Sequence, residues 1–496
     1  MTAMRTEAKG WKTRRDPVPL DELDARVDEI LSRRPAVGLA LGVVRDGHLQ
    51  FFRGHGAADI ASNTPITENT VFRIGSITKT FTAVAVMQLW EQGLLDLDAP
   101  ANDYLRAFRL TSGNAAWRPA TVRHLLTHTA GLPELVRPVR ALRTGWFSES
   151  VAPGDPVPTL ADFYRGHLRV AVEPGTTFTY TDHSFAALGQ IVEDVSGQPL
   201  DRYFRERIFE SLGMIDSDLL RSGRLRPRLA TGYKFGSGGP RAVTDRDLVA
   251  AAASSIYSTP RDMARYLAAL LGGGSGEGGP ILRAETLAIM FQPNYQTDPR
   301  LPGFGLGFYR TDLGGRPAVE HPGIIPGFNS QIFLAPDHGV AVVAFTNGAR
   351  NAVTWLTAES EWLLRDLIGA PADVIRTDLP QRPEMWGDLC GWYRPLAQRT
   401  DMQARGMAGA GAQVVVRRGR LMVRALSPMP ALYRGFALHP DDDKDPYVFR
   451  IDLSTHGLGT TRIVFSHDKG RETTRLHLEV IPLALQKRPT ATRPSP

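Results

Sequence analysis

The sequence predicts an α+β protein: an antiparallel sheet flanked by helices, with a helical region inserted into the chain, and then a separate small β-barrel. Three observations carry this. A helix beside a hairpin opens the chain near residues 19–56, and a hairpin beside a helix returns near residues 330–369. Helix and loop patterns fill the stretch between them, and short alternating runs cut by glycine, proline and aspartate fill the end of the chain.

The elements follow in order. Residues 1–18 are charged, lack the apolar segment of a secretory signal, and are expected to be flexible. PLDELDARVDEIL places Leu20, Leu23, Val27 and Leu31 at helical spacing behind Pro19. AVGLALGVVRDGHLQFFRGHG then gives two strands about an Asp46-Gly47 turn. The late counterpart, QIFLAPDHGVAVVAF, turns at residues 337–339 and leads into NAVTWLTAESEWLLRDLIG, with Trp355, Trp362, Leu363 and Leu367 on one expected helical face. These elements close one sheet within residues 19–370. Residues 371–388 are proline-rich and aperiodic, a linker. Residues 389–485 hold the barrel strands, among them GRLMVRAL, PYVFRIDL and TTRIVFSH, and residues 486–496 form an expected disordered tail. No internal repeat is visible.

At 496 residues, 42% hydrophobic and 22% charged, the chain has the composition of a globular protein of two or three units. No apolar run reaches the length of a membrane-spanning helix. The single cysteine, Cys390, excludes an internal disulfide and suits a reducing compartment, so the expected location is cytoplasmic. The net charge of +6 is scattered among acids without a recognition motif, which argues for a solvated surface and against nucleic acid.

The chemistry concentrates at FRIGSITKTFTA, residues 72–83. VFRIG ends in glycine and TFTAVAVMQLWEQG has helical spacing, so Ser76 falls at a helix N-terminus, where free N–H groups favour developing negative charge. Lys79, three residues on, shares its face and in neutral form can take the serine proton. The plain alternative is an N-cap serine beside a surface lysine. A second S-x-x-K, Ser466 to Lys469, ends a strand with no helix to align it and is rejected as catalytic.

S-x-x-K opening a helix marks the penicillin-recognising serine enzymes. The surrounding FRIGSITKTFTAVAVMQLWEQGLLDLDAP resembles the beta-lactamase-related serine hydrolases: class C beta-lactamases, D-alanyl-D-alanine carboxypeptidases, D-aminopeptidases and related esterases. HLLTHTAGLP, EPGTTFTYTDHSFAALGQIVEDVSG, IYSTPRDMARYLAAL, FGLGF and EHPGIIPGFNSQ follow in that family's order, so the similarity spans about residues 20–365. The resemblance implies the beta-lactamase/transpeptidase-like fold, with Ser76 as the acylated nucleophile and Lys79 as its proton partner. It implies Tyr180 as base or acid, His321 where beta-lactamases carry the lysine of K-T-G, and the Ile324 N–H, after Gly323, as second oxyanion donor. The final region, near LCGWYRPL, resembles the lipocalin-like domain of some members.

Two positions depart from the family. Its Y-x-N is Tyr180-Thr181-Asp182 here, and an ionised aspartate accepts hydrogen bonds where asparagine can also donate to a substrate amide. Asp182 near Lys79 also favours the ammonium and moves base work toward Tyr180 or a shared proton network. His321 replaces an ammonium with a group that is neutral or partly charged near pH 7. His124 and His128 have the spacing of a helical zinc pair without the glutamate of H-E-x-x-H, so structural hydrogen bonding is expected, with no metal and no cofactor. His183 can line the site mouth. In the insertion at residues 134–158, Arg137, Arg140 and Arg143 suit a solvated face and Trp146 and Phe147 a lid. Asp441 to Asp443 lack calcium-loop spacing.

The sequence therefore points to a serine hydrolase acting on a small-molecule ester or amide, with carboxylic esters favoured. D-amino-acid peptides and beta-lactams come next. Other classes in play are a penicillin-binding sensor that deacylates slowly and a non-catalytic binding or assembly protein; oligomeric state stays open.

Overall fold

The computed structural model describes residues 19–136, 149–276, 278–396, 401–427, 430–468 and 473–489. Helix α1 (Leu23–Arg33) precedes strands β1 (Gly38–Arg45), β2 (His48–Asp59) and β3 (Thr64–Pro65), and a short strand β4 (Phe72–Arg73) leads to α2 (Thr78–Glu91). The inserted region includes α3 (Val122–Leu126), α4 (Asp182–Ser196), α5 (Ala251–Ser254), strand β5 (Tyr257–Ser258) paired with β4, and α6 (Pro260–Leu271). Strands β6 (Tyr309–Asp312), β7 (Pro317–Ile325), β8 (Phe328–Ala335) and β9 (Val340–Thr346) then return to the sheet, and α7 (Ala352–Leu367) covers it.

The seven-stranded sheet has the order β6-β7-β8-β9-β1-β2-β3, so its two halves meet where β1 pairs antiparallel with β9. The β1–β2 turn places Asp46 and Gly47 at φ of 53° and 76°, the left-handed geometry that suits the hairpin twist and that this dipeptide tolerates. Both faces of the sheet are covered, which explains why its central strands are apolar throughout. In β9, Ala341, Val343 and Phe345 point into the larger core shared with the inserted helices, while Val340, Val342 and Ala344 point to α1 and α7.

On α1 the buried residues are Leu23, Val27 and Ile30, so Ile30 carries the contact expected from Leu31. On α7, Trp355, Leu363 and Leu367 are buried, but Trp362 is 47% exposed. The apolar stripe is centred on Leu356, Leu363 and Leu367, and 100° per residue carries Trp362 to its rim. Trp355 is anchored through its indole N–H to the Arg350 carbonyl at 3.0 Å. Trp355→Ala is expected to cost about 3–5 kcal/mol in urea unfolding, because the cavity lies between helix and sheet where neither can collapse.

The C-terminal strands form one nine-stranded antiparallel sheet, a nearly closed barrel. It closes where Gly391–Pro395 pairs both with Ala412–Arg417 and with Leu483–Lys487. That last strand takes in Gln486 and Lys487, which the sequence reading placed in the tail. A short helix, Trp386–Leu389, likewise starts inside the expected linker and buries Leu389 in the barrel core. Ser466 lies on the strand Thr460–Asp468 against His477, and Lys469 falls outside the described residues, as do residues 1–18 and 490–496.

The barrel docks on the segment that precedes β6. Arg300 pairs with Asp298 and with Asp445 of the barrel, each at 2.8 Å, and donates to the Phe465 carbonyl at 2.9 Å. Leu301 packs with Val448 and Val464 beneath it. Among the described residues no helix is long and apolar enough to cross a membrane.

Candidate active site

Ser76 lies in a single 3-10 turn, Gly75–Ile77, that runs directly into α2. The turn is fixed from below by Thr78, whose hydroxyl donates to the Gly75 carbonyl at 2.7 Å, and by α2 itself, buried on nearly every side. Gly75 takes φ +54°, and a Cβ there would lie 2.7 Å from the Ile324 nitrogen. Gly323 is pressed against the Ile74 carbonyl, 2.0 Å from where its Cβ would be, and Ser330 of β8 bonds that carbonyl at 2.7 Å. The two glycines bring the start of α2 and strand β7 into backbone contact, which no side chain would permit.

Lys79 is fully buried. Its Nζ donates to Asp182 Oδ1 at 2.6 Å, to the Ala253 carbonyl at 3.2 Å and to Ser76 Oγ at 3.2 Å, the three donors of an ammonium. Burial pushes Lys79 below the usual lysine range, and the charge and hydrogen bond of Asp182 oppose that. Thr181 caps α4, its hydroxyl accepting from the His183 N–H, and this cap sets Asp182 on the first turn facing α2.

Tyr180 precedes the cap. Lys79 Nζ sits 4.7 Å from the centre of its ring, and its hydroxyl is hydrogen-bonded to Ser76. Burial and the nearby Asp182 hold the phenol well above its ordinary value, so it enters neutral. His128, at φ +56°, accepts from the Thr181 N–H at 3.2 Å and packs its ring 4.5 Å from Tyr180. It supports the tyrosine, and desolvation keeps it neutral. His124 forms a reciprocal capping box with Thr121 at the start of α3. His183 is buried with Nδ1 2.8 Å from the Tyr164 hydroxyl, so it is packed inside rather than at the mouth.

His321 of β7 is completely buried, and desolvation drives it down to about 3. Its Nδ1–H donates to the Pro322 carbonyl at 2.7 Å, and Nε2, an acceptor in that tautomer, has no partner among the described residues. Tyr309 packs against both rings, 6.2 Å from Tyr180 and 5.7 Å from His321, which are themselves 6.3 Å apart. The wall of the site is therefore aromatic and uncharged.

Ser76, Lys79, Tyr180, Asp182, His321, Gly323 and Ile324 thus come together from three parts of the chain. One neighbour was not anticipated: Ser254, at the end of α5, is buried with its hydroxyl 3.4 Å from Ser76 Oγ. Arg137, Arg140, Arg143, Trp146 and Phe147 fall outside the described residues. Among the described residues no group of three or more histidine, cysteine or acidic side chains is placed to hold a metal ion.

A serine on a buried helix start, one turn from a lysine and facing a sheet strand, is the arrangement of the penicillin-recognising serine hydrolases. The family model described as Beta-lactamase matches residues 23–364. The chain belongs to the beta-lactamase family. It is 30% identical over 383 residues to Penicillin-binding protein 4 of Amycolatopsis lactamdurans, covering 74% of this chain and 96% of that protein. It is 27% identical over 364 residues to Esterase EstB of Burkholderia gladioli, covering 66% and 90%. Among solved structures, the octameric penicillin-binding protein homologue from Pyrococcus abyssi superposes with a TM-score of 0.60 at 23% identity, over 95% of this chain and all of that one.

Proposed function

We propose that this beta-lactamase-family serine hydrolase cleaves carboxylic esters through an acyl-enzyme on Ser76. The observation that carries the choice of substrate is the pair of departures at Asp182 and His321. Asp182 is committed to Lys79 at 2.6 Å and, as an acceptor, offers no N–H to a substrate amide. His321, neutral and buried, supplies no cation for the carboxylate of a penicillin or D-alanyl peptide. An ester needs neither contact.

In the neutral form of Lys79, favoured by burial and reached by loss of its proton to bulk solvent before substrate binds, the amine lone pair faces Ser76 Oγ and takes the hydroxyl proton as Oγ attacks the carbonyl. The N–H groups of Ser76 and Ile324 hold the oxyanion. The Tyr180 hydroxyl gives its proton to the departing alkoxide and is reprotonated by Lys79. Water then repeats the sequence on the acyl-enzyme and frees the acid. Every step uses only side chains and backbone groups of this chain, and the lone cysteine fits a cytoplasmic setting.

Parallel turnover of a short-chain nitrophenyl ester, a chromogenic cephalosporin and a D-alanyl-D-alanine peptide tests the assignment. The ester is expected to have the highest kcat/KM. Faster turnover of the cephalosporin or the peptide would reassign the substrate, and a stable adduct with labelled penicillin would make the protein a sensor.

Asp182→Asn gives a separate expectation. Asp182 raises the Lys79 pKa, so its removal lets that pKa fall further, and the acid limb of kcat/KM should move to lower pH. A limb that stays in place would show that Lys79 is not the titrating base.

A further inference from the structure

A second cavity opens beside the site. It has a volume of about 130 Å³, and its lining includes Arg73, Lys234, Asp245, Arg246, Ile325 and Pro326. Two of these positions tie it to the chemistry: Arg73 lies three residues before the nucleophile on β4, and Ile325 directly follows the proposed oxyanion donor on β7. These two positions put the cavity on the same strands that flank Ser76 and Ile324.

Its charge is unbalanced. Three cations meet one carboxylate, and that carboxylate is already saturated, with Asp245 taking Arg73 at 2.5 Å, the Tyr257 hydroxyl at 2.7 Å and Arg221 at 3.4 Å. Arg73 is 2% exposed and stacked 4.7 Å from the Tyr257 ring centre; it also donates to the Arg246 carbonyl at 2.6 Å, and its Nε has no hydrogen-bond partner among the described residues. Among the described residues the Arg246 guanidinium donates only to Ser150, at 2.8 Å to the hydroxyl and 3.4 Å to the carbonyl, both neutral acceptors, while its backbone N–H donates to Asp245 Oδ1 at 3.0 Å. Lys234, exposed on the strand Tyr233–Gly236, has no acceptor among the described residues. A buried guanidinium with an unsatisfied N–H, flanked by two cations without an ion pair among the described residues, is an arrangement that an anion completes.

We propose that this cavity is a subsite for an anionic group, a carboxylate in the simplest case, carried by the substrate of Ser76. The proposal rests on the hydrolase reading above and narrows its substrate class to esters bearing a negative charge at a distance from the scissile carbonyl. The charge sits in a different part of the site from His321, so it does not require a cation there.

The test uses nitrophenyl esters whose acyl chains have equal length and end in methyl, carboxylate or ammonium, and a second set with the same groups on the alcohol side. In one of the two sets the carboxylate ester is expected to exceed its methyl counterpart in kcat/KM by about 10-fold or more, chiefly through KM, with the ammonium ester poorest. The double variant Lys234→Glu/Arg246→Gln should bring the carboxylate-to-methyl ratio to about one or below, and raised salt should erode the wild-type ratio. Equal turnover of carboxylate and methyl esters in both sets, or a ratio that the double variant leaves intact, would overturn the subsite while the methyl esters still report a working hydrolase. If no ester is turned over at all, the hydrolase reading itself fails and the subsite falls with it.

Discussion

Ser76→Ala is expected to lower ester turnover by about 10⁴-fold or more and to remove all labelling by a fluorophosphonate. In the proposed mechanism Oγ is the atom that becomes acylated, and no other hydroxyl is expected to replace it in place. Ser254 sits 3.4 Å away at the end of another helix, not on the Gly75–Ile77 turn that faces Ile324. Folding should barely change, because the lost groups are hydrogen bonds to Lys79, Tyr180 and Ser254, and the turn is held by Thr78 and the glycines. Intact-mass spectrometry with circular dichroism on the same samples separates the two effects. Labelling that persists in a folded Ser76→Ala protein would move the nucleophile elsewhere and sink the assignment.

Lys79→Met is expected to be nearly as damaging to turnover, by about 10³-fold or more, and to destabilise the fold as well. Methionine fills the apolar part of the space but leaves Asp182 without its cation. Breaking a buried pair from one side costs about 3–5 kcal/mol, and the lower end applies because Asp182 keeps a fifth of its side-chain surface in solvent. The double variant Lys79→Met/Asp182→Asn should recover most of that stability in urea unfolding and none of the turnover. If the double variant regains activity, Lys79 serves only to neutralise Asp182, and Tyr180 must act as base unaided.

How far these features were legible in the sequence depended on range. The Asp46-Gly47 hairpin, α1 and α7 declare themselves through local periodicity and turn chemistry, and the motif order fixed where Ser76, Lys79, Tyr180 and His321 would stand. What failed was anything decided by distant packing. Trp362 and Leu31 sit on the edges of their helical stripes, so only the neighbours across the sheet choose which edge is covered. Ser254 is one small residue in the run VAAAASS, and its contact with Ser76 spans 178 positions of sequence. A polar residue closing such a run, just before a buried strand, was the available signal. The depth of His321 was equally hidden, since β7 alternates and only the aromatic rings of Tyr180 and Tyr309 close over it. Lys487 belongs to the barrel because Gly391–Pro395 needs a partner on that side, which composition could not reveal.

The junction of β1 with β9 also sets the order of events at the ribosome. The first hairpin emerges early, yet the inner edge of β1 has no partner until about 300 further residues have been translated. Throughout that interval the nucleophile helix is complete while the strand that faces it is not, so the nascent chain holds an apolar, unpaired edge and no competent site. Chains released before Thr346 would be inactive and prone to pair with one another. The connectivity thus leaves that edge open for most of synthesis, and a circular permutant that begins near β6 should shorten the exposure.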